Sequence, residues 1–308
     1  MLTLLAGSFL GGGLGANDAA NCFGTAVSSR LVSWRHAAVL AAVFVVLGAV
    51  TQGEAGLATL QGLTQQSATA AGLAALAAGL TVAGMTALRL PVSASQAVVG
   101  AMLGASVLGG RVDTGQLDKI VLCWVGTPLG AMLMACVLYH VLRLPLMWLR
   151  LSTFTRDPVL RVGLILCGCY SAHALGANNV ANVASFLIAD GRLTPHLAVA
   201  FGGLTIAAGI LLFSRGVMIT VGRGITPLDG FSALVVVLAQ GVTVHLYALL
   251  GVPVSTSQAI VGAVLGMGLG KGVQILNLRT LGHVLLGWVM TPVVAAVLGA
   301  VLAILVAG

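Results

Sequence analysis

The sequence predicts an all-α polytopic membrane protein built of two inverted-topology repeats, with broken helices and re-entrant hairpins. Three observations carry this prediction. Of 308 residues, 59% are hydrophobic and 7% charged, with a mean hydropathy of +1.10, whereas a soluble domain carries about 25% charged residues. Apolar stretches recur at the length a helix needs to cross a bilayer, about 20 residues. The chain also resembles itself at a nearly fixed offset.

Residues 1–14 are apolar, follow no basic region and run straight into a polar motif. They are unlike a cleavable signal peptide and read as the first half of a broken membrane helix. Apolar stretches follow at 37–50, 70–87, 122–142, 197–213, 231–250 and 281–307, and about ten membrane segments, five per half, are expected. The formal charge of +7 sits at segment ends rather than on one soluble face, which excludes nucleic-acid binding. Arg143, Arg150, Arg156 and Arg161, opposed only by Asp157, place the central connection in the cytoplasm by the positive-inside rule. The expected organisation is a first transmembrane repeat at 1–142, a basic cytoplasmic connection at 143–158 and a second repeat at 159–308. The five cysteines, Cys22, Cys123, Cys136, Cys167 and Cys169, lie mostly in apolar runs and read as small buried hydrophobes.

The repeat rests on three ordered matches. LGANDAAN at 14–21 returns as LGANNVAN at 175–182, an offset of 161. PVSASQAVVGAMLGA at 91–105 returns as PVSTSQAIVGAVLGM at 253–267, an offset of 162 with 11 of 15 positions identical. WVGTP at 124–128 returns more weakly as WVMTP at 288–292. Two copies that each cross the membrane an odd number of times are inverted relative to one another. Inverted halves that exchange roles are a common way to build a carrier.

Polar, glycine-containing motifs inside apolar runs are the chemistry-bearing residues. Gly15, Asn17, Asp18 and Asn21, and their copies Gly176, Asn178, Asn179 and Asn182, read as helix breaks, because irregular backbone at membrane depth survives only where it is buried or lines a wet cavity. Their carboxamides and carboxylate suit a cation or a ligand proton, and the freed amides of a following half-helix suit an anion. The second motif opens on a proline and presents Ser93, Ser95 and Gln96 in one copy and Ser255, Thr256, Ser257 and Gln258 in the other, each before a glycine-spaced run that can return as a re-entrant limb. For any single Ser or Gly here, helix packing outweighs binding as the explanation. Asp18 is different, since a carboxylate at membrane depth costs roughly 2.5–3.5 kcal/mol and marks an ion or substrate path.

His36, His140, His196 and His283 read as interfacial, whereas His173 and His245 lie nearer the motifs and stay open. Glu54, Asp113, Asp118, Asp190 and Asp229 fall in expected loops, and Trp34, Trp124, Trp148 and Trp288 read as interfacial anchors or packing residues. No nucleophile with a neighbouring base, HExxH or Cys/His metal set supports an enzyme. An anion channel lined by the same motifs is the alternative of another class.

With these residues in view, GANDAANCFGTAVSSRLVSWRHAAVLAAVF, GANNVAN, the two PVS-x-SQA motifs and GVMITVGRGITP at 216–227 resemble the inorganic phosphate transporter (PiT) family over nearly the whole chain. The resemblance implies an inverted-repeat carrier, usually a homodimer in the cell (inner) membrane, importing phosphate by symport with sodium ions or protons and using no cofactor. Carried over, Asn17, Asn21, Ser93, Ser95, Gln96, Asn178, Asn182, Ser255, Thr256, Ser257 and Gln258 bind substrate. Asp18, Asn17, Asn178 and Asn179 serve the coupling ion, with sodium at Asp18 and Asn179. Three departures stand out: Asn179 replaces an acid, Phe44-Val45 stands where a Phe-Glu pair is frequent, and Gln96 and Gln258 stand where many members carry His. Phosphate brings a proton that needs an acceptor, and Asp18 is one; a site with one acid fewer also fits sulfate, which brings none.

Overall fold

The computed structural model describes residues 1–88, 92–108, 110–148, 153–189, 191, 193–224, 228–272 and 278–307. Pro91, Arg150 and Asp190, singled out above, lie outside them, as do residues 225–227 of the family-like stretch. Before the mid-chain connection come α1 (Leu2–Ser28), α2 (Trp34–Gln52), α3 (Ala55–Leu63), α4 (Ala68–Ala87), α5 (Ala94–Ala105) and α6 (Thr114–Trp148). After it come α7 (Thr153–Ile188), α8 (Pro195–Gly224), α9 (Gly230–Leu249), α10 (Thr256–Lys271) and α11 (Leu278–Ala307). A minimal ribbon pairs β1 (Thr64–Gln65) antiparallel with β2 (Arg111–Val112).

Among the described residues, seven helices, α2, α4, α6, α7, α8, α9 and α11, are long and apolar enough to cross a membrane, and the protein is a multi-pass membrane protein. The motifs align α1, α2, α4, α5 and α6 with α7, α8, α9, α10 and α11. α1 has spanning length, with Asn17, Asp18 and Asn21 lowering its hydropathy. α5 and α10, with 12 and 16 residues, are too short to span. The connection expected over 143–158 is helical at both ends, since α6 runs to Trp148 and α7 starts at Thr153.

The expected helix breaks at the GAND-type motifs are corrected: α1 runs unbroken through Gly15–Asn21, and α7 through Gly176–Asn182. The glycines serve close approach instead. A Cβ on Gly15 would lie 1.9 Å from the Ile206 carbonyl oxygen of α8, and one on Gly176 would lie 2.0 Å from the Val45 carbonyl oxygen of α2. Small residues let backbones meet this closely in a bilayer, where packing rather than water exclusion drives helix association. The residues before and after the motif follow the same logic: α1 and α7 run antiparallel, with Phe23 on Gly168, Asp18 on Asn179 and Gly7 on Leu187.

The backbone leaves the helix instead before α5 and α10. α9 ends at Leu249, Gly251 turns at φ +71, and Ser255 is extended before α10 starts at Thr256. The short limbs then pack across the halves, α5 on α11 and α10 on α6. Gly100 and Gly104 face the carbonyls of Pro292 and Ala296, while Gly262 and Gly266 face those of Pro128 and Met132. This explains the weak third echo, WVGTP and WVMTP, as the surface that receives each limb.

Asp229 caps α9. It accepts from the Phe231 and Ser232 amides at 3.1 and 3.0 Å and from the Ser232 hydroxyl at 2.8 Å, and it pairs with Lys271. Burial raises its carboxyl, but the Lys271 ammonium and the Ser232 donors outweigh burial and bring it from 3.8 down to about 2. A depressed carboxyl stabilises the fold above its unfolded value and loses that contribution as pH falls through the folded one. Asp229→Ala is therefore expected to cost about 1 kcal/mol at neutral pH, mostly from the lost cap. Thermal melts in detergent should show the gap to wild type closing only below pH 3.8.

Candidate functional site

The helical register places Asn17, Asp18 and Asn21 along one side of α1 and Asn178, Asn179 and Asn182 along one side of α7. Because these two helices meet antiparallel, the two sets meet at Asp18 and Asn179, past the middle of α1 and in the last third of α7. Asp18 sits at the meeting point, 2% exposed. Its Oδ1 accepts from Asn17 Nδ2 at 2.9 Å and its Oδ2 from Asn179 Nδ2 at 2.6 Å, with the Thr256 hydroxyl beside it. Asn179 in turn accepts from Asn178 Nδ2 at 2.6 Å. Among the described residues no ion pair reaches Asp18, and its charge is held by neutral donors alone.

The tips of the two short helices close the site. Ser93 and Ser255 are their N-caps, accepting from the Gln96 and Gln258 amides at 3.4 and 3.2 Å. The tips are also cross-linked reciprocally: Ser95 Oγ donates to the Val254 carbonyl at 2.9 Å, and Ser257 Oγ donates to the Val92 carbonyl at 3.0 Å. Each tip is tied to the polar row of the other half as well, through Asn182 Nδ2 to Ser95 Oγ at 3.1 Å and Asn21 Nδ2 to Thr256 Oγ1 at 3.2 Å. Every site residue expected from the sequence thus falls in or beside one cluster, and all are buried except the half-buried Asn17 and Ser257.

Two groups in this cluster were not legible in the sequence. The backbone of Val254 is clamped by Asn178, which accepts from its amide at 3.0 Å and donates to its carbonyl at 2.8 Å. The corresponding Asn17 bonds only Asp18 among the described residues. One turn of α1 beyond Asp18, Cys22 lies beside Ser171, whose Oγ donates to Gln240 Oε1 at 2.5 Å with both side chains fully buried. The available signal was a lone glutamine inside the apolar run 231–250.

The arrangement offers two short-helix N-termini, whose partial positive charge favours an anion. Facing them are one carboxylate and a set of carboxamides. Gln96 Oε1, Gln258 Oε1 and Asn182 Oδ1 are buried acceptors without a partner among the described residues. A protonated oxyanion or a cation supplies what such acceptors lack.

A family profile described as "Phosphate transporter family" matches residues 14–299. A relative from Methanocaldococcus jannaschii named "Putative phosphate permease" is 28% identical, over 93% of this chain and 91% of its own length. A sulfate permease of Bacillus subtilis is 27% identical, over 95% of this chain and 84% of its own. The solved structure of a sodium-dependent phosphate transporter covers 99% of this chain and 98% of that one with a TM-score of 0.87 at 24% identity, a likeness of fold.

Proposed function

Because the chain belongs to the phosphate transporter family, we propose that it is a secondary active transporter importing inorganic phosphate by symport with sodium ions or protons. The observation that carries this reading is the buried cluster in which two short-helix N-termini converge on a lone carboxylate among unpartnered carboxamide oxygens. Phosphate binds at the tips when the Ser95, Thr256 and Ser257 hydroxyls exchange their present acceptors for its oxygens, beside the Gln96 and Gln258 carboxamides. Neutral donors hold an oxyanion more loosely than an arginine clamp, which favours release. Asp18 accepts the phosphate proton or, with Asn179, holds a sodium ion as co-substrate.

Residues 1–142 and 159–308 act as inverted repeats, a reading supported by antiparallel α1 and α7 and by the reciprocal tip bonds. Alternating access follows if the Asn178 clamp on Val254 is exchanged for an Asn17 clamp on Val92, so that each face opens when its own clamp releases. The family's usual setting supports a homodimer in the cell membrane. A transporter role, rather than catalysis, agrees with family and fold.

Sulfate is the second reading, favoured by the amide at Asn179 and by the sulfate permease among the relatives. The deciding experiment is uptake of labelled phosphate and labelled sulfate into proteoliposomes under imposed sodium or proton gradients. Saturable phosphate uptake with counterflow, not competed by sulfate, is expected. Sulfate uptake that phosphate does not inhibit would establish the second reading, and unitary current steps would replace the carrier with a channel.

A further inference from the structure

A second polar cluster lies away from the site, on α2, α7 and α9. The Tyr170 hydroxyl is 2.8 Å from His245 Nδ1, and Gln52 Oε1 is 2.6 Å from His245 Nε2. Thr51 Oγ1, which donates its own proton to the Leu47 carbonyl at 2.7 Å, is 3.2 Å from His173 Nε2. The two imidazoles stand edge to face with centroids 5.6 Å apart. All of these side chains except the exposed Thr51 are half-buried.

Packing does not call for this polarity. Shifted by the repeat offsets, Thr51, Gln52, Tyr170, His173 and His245 become Leu212, Phe213, Phe9, Gly12 and Ala83. The correspondence is structural as well: Gly48 faces the His173 carbonyl just as Gly209 faces the Gly12 carbonyl. The same helix contact is therefore built twice, once with polar side chains and once without them.

The partners are those an imidazolium needs. Gln52 Oε1 only accepts, which places a proton on His245 Nε2, and Tyr170 donates to Nδ1 while the ring is neutral. When a proton arrives at Nδ1, rotation of the Tyr170 hydroxyl turns it into an acceptor, and both ring N–H groups remain paired. The committed Thr51 hydroxyl likewise accepts from His173 Nε2. A second proton would place two like charges on rings 5.6 Å apart, so the geometry suits one proton shared by the cluster.

The helices packed around the pair carry further titratable groups, but beyond Tyr170 no hydrogen bond or ion pair among the described residues joins any of them to either imidazole; α6 carries Asp118, Lys119 and Cys123, and α8 carries Arg215. α7 adds Cys167 and Cys169, and α1 adds Cys22 and Asp18, the latter held by Asn17 and Asn179. Glu54, at the start of α3, pairs with His196 of α8. Tyr247 turns toward Gly126 of α6, and Lys271 of α10 pairs with Asp229 at the opposite end of α9. α4 and α5 present no charged group there among the described residues.

We propose that His173 and His245 form a binding site for the coupling proton, distinct from the phosphate site. This inference rests on the carrier reading above and makes the proton the driving ion. The test uses the full chain in sodium-free proteoliposomes with two readouts: labelled-phosphate exchange without a gradient, and accumulation under an inside-alkaline gradient. One pH unit is worth about tenfold accumulation per coupled proton. Wild type is expected to show both, and His245→Gln to keep exchange while losing the tenfold accumulation. Tyr170→Phe, which deprives a protonated Nδ1 of its acceptor, should keep exchange and shift half-maximal uptake to lower pH. If His245→Gln fails to fold, Tyr170→Phe decides: an unshifted profile overturns the inference. Wild-type accumulation driven by sodium alone, or an undiminished proton response in both variants, also overturns it. Absence of exchange in wild type overturns the carrier reading and this inference with it.

Discussion

Asp18→Asn is expected to reduce coupled phosphate uptake in proteoliposomes by about two orders of magnitude, since truncating one partner of a charge pair formed on binding, here Asp18 with the ion or proton it takes up, costs about 2–5 kcal/mol. The substitution is isosteric, and its effect on the fold should be small. Asp18 accepts one amide on each oxygen, so an asparagine side chain loses one of the two bonds until a neighbouring carboxamide turns over. Asn17 is half-buried and bonds only Asp18 among the described residues, which leaves it free to turn. Removing an unpaired charge from a buried site compensates further. The melting temperature in detergent should therefore stay near wild type while uptake collapses. Uptake at the wild-type rate, at every sodium concentration and pH tried, would sink the assignment of Asp18.

The largest structural effect is expected at the crossing glycines. Gly176→Ala puts a methyl group 2.0 Å from the Val45 carbonyl oxygen and 2.8 Å from its carbon, atoms of a neighbouring helix backbone that cannot swing aside. Overpacking of a close contact typically costs about 1–3 kcal/mol, and a rigid backbone neighbour puts this site at the upper end. The misfit also displaces Asn178 and Asn179, so uptake should fall with stability. Gly84→Ala is the control: nothing lies within 4 Å of its added methyl, and exposed substitutions of this kind stay within about 0.5 kcal/mol. Equal melting temperatures for the two variants would refute close approach as the role of the motif glycine.

That glycine also marks where sequence reasoning stopped. A glycine beside two asparagines and an aspartate carries the local signature of a helix break, and only the partner helix shows that the missing side chain makes room for a carbonyl. The polar rows were legible because duplication repeats them, and repetition separates chemistry from packing. The tip serines were legible for the same reason, since the PVS-x-SQA motif repeats them at a fixed offset. The Asn178 clamp was not, because its partner is backbone and any residue at Val254 offers the same two groups. The histidine cluster was hidden differently. Its members come from three helices, Tyr170 and His245 being 75 residues apart and Gln52 and His245 193 apart, and its duplicate positions are apolar.

The contact between Asp18 and Asn179 has an evolutionary corollary. The two residues are 161 positions apart, and the aligned motifs make them counterparts. In an assembly of two identical halves, whatever stood at this position would confront its own copy across the dyad. Two aspartates there would have to share a proton, and two asparagines would leave no formal charge. Joining the halves in one gene frees the position from that constraint. A single anionic group opposite a neutral amide is an arrangement that a symmetric homodimer cannot encode and a fused chain reaches by one substitution.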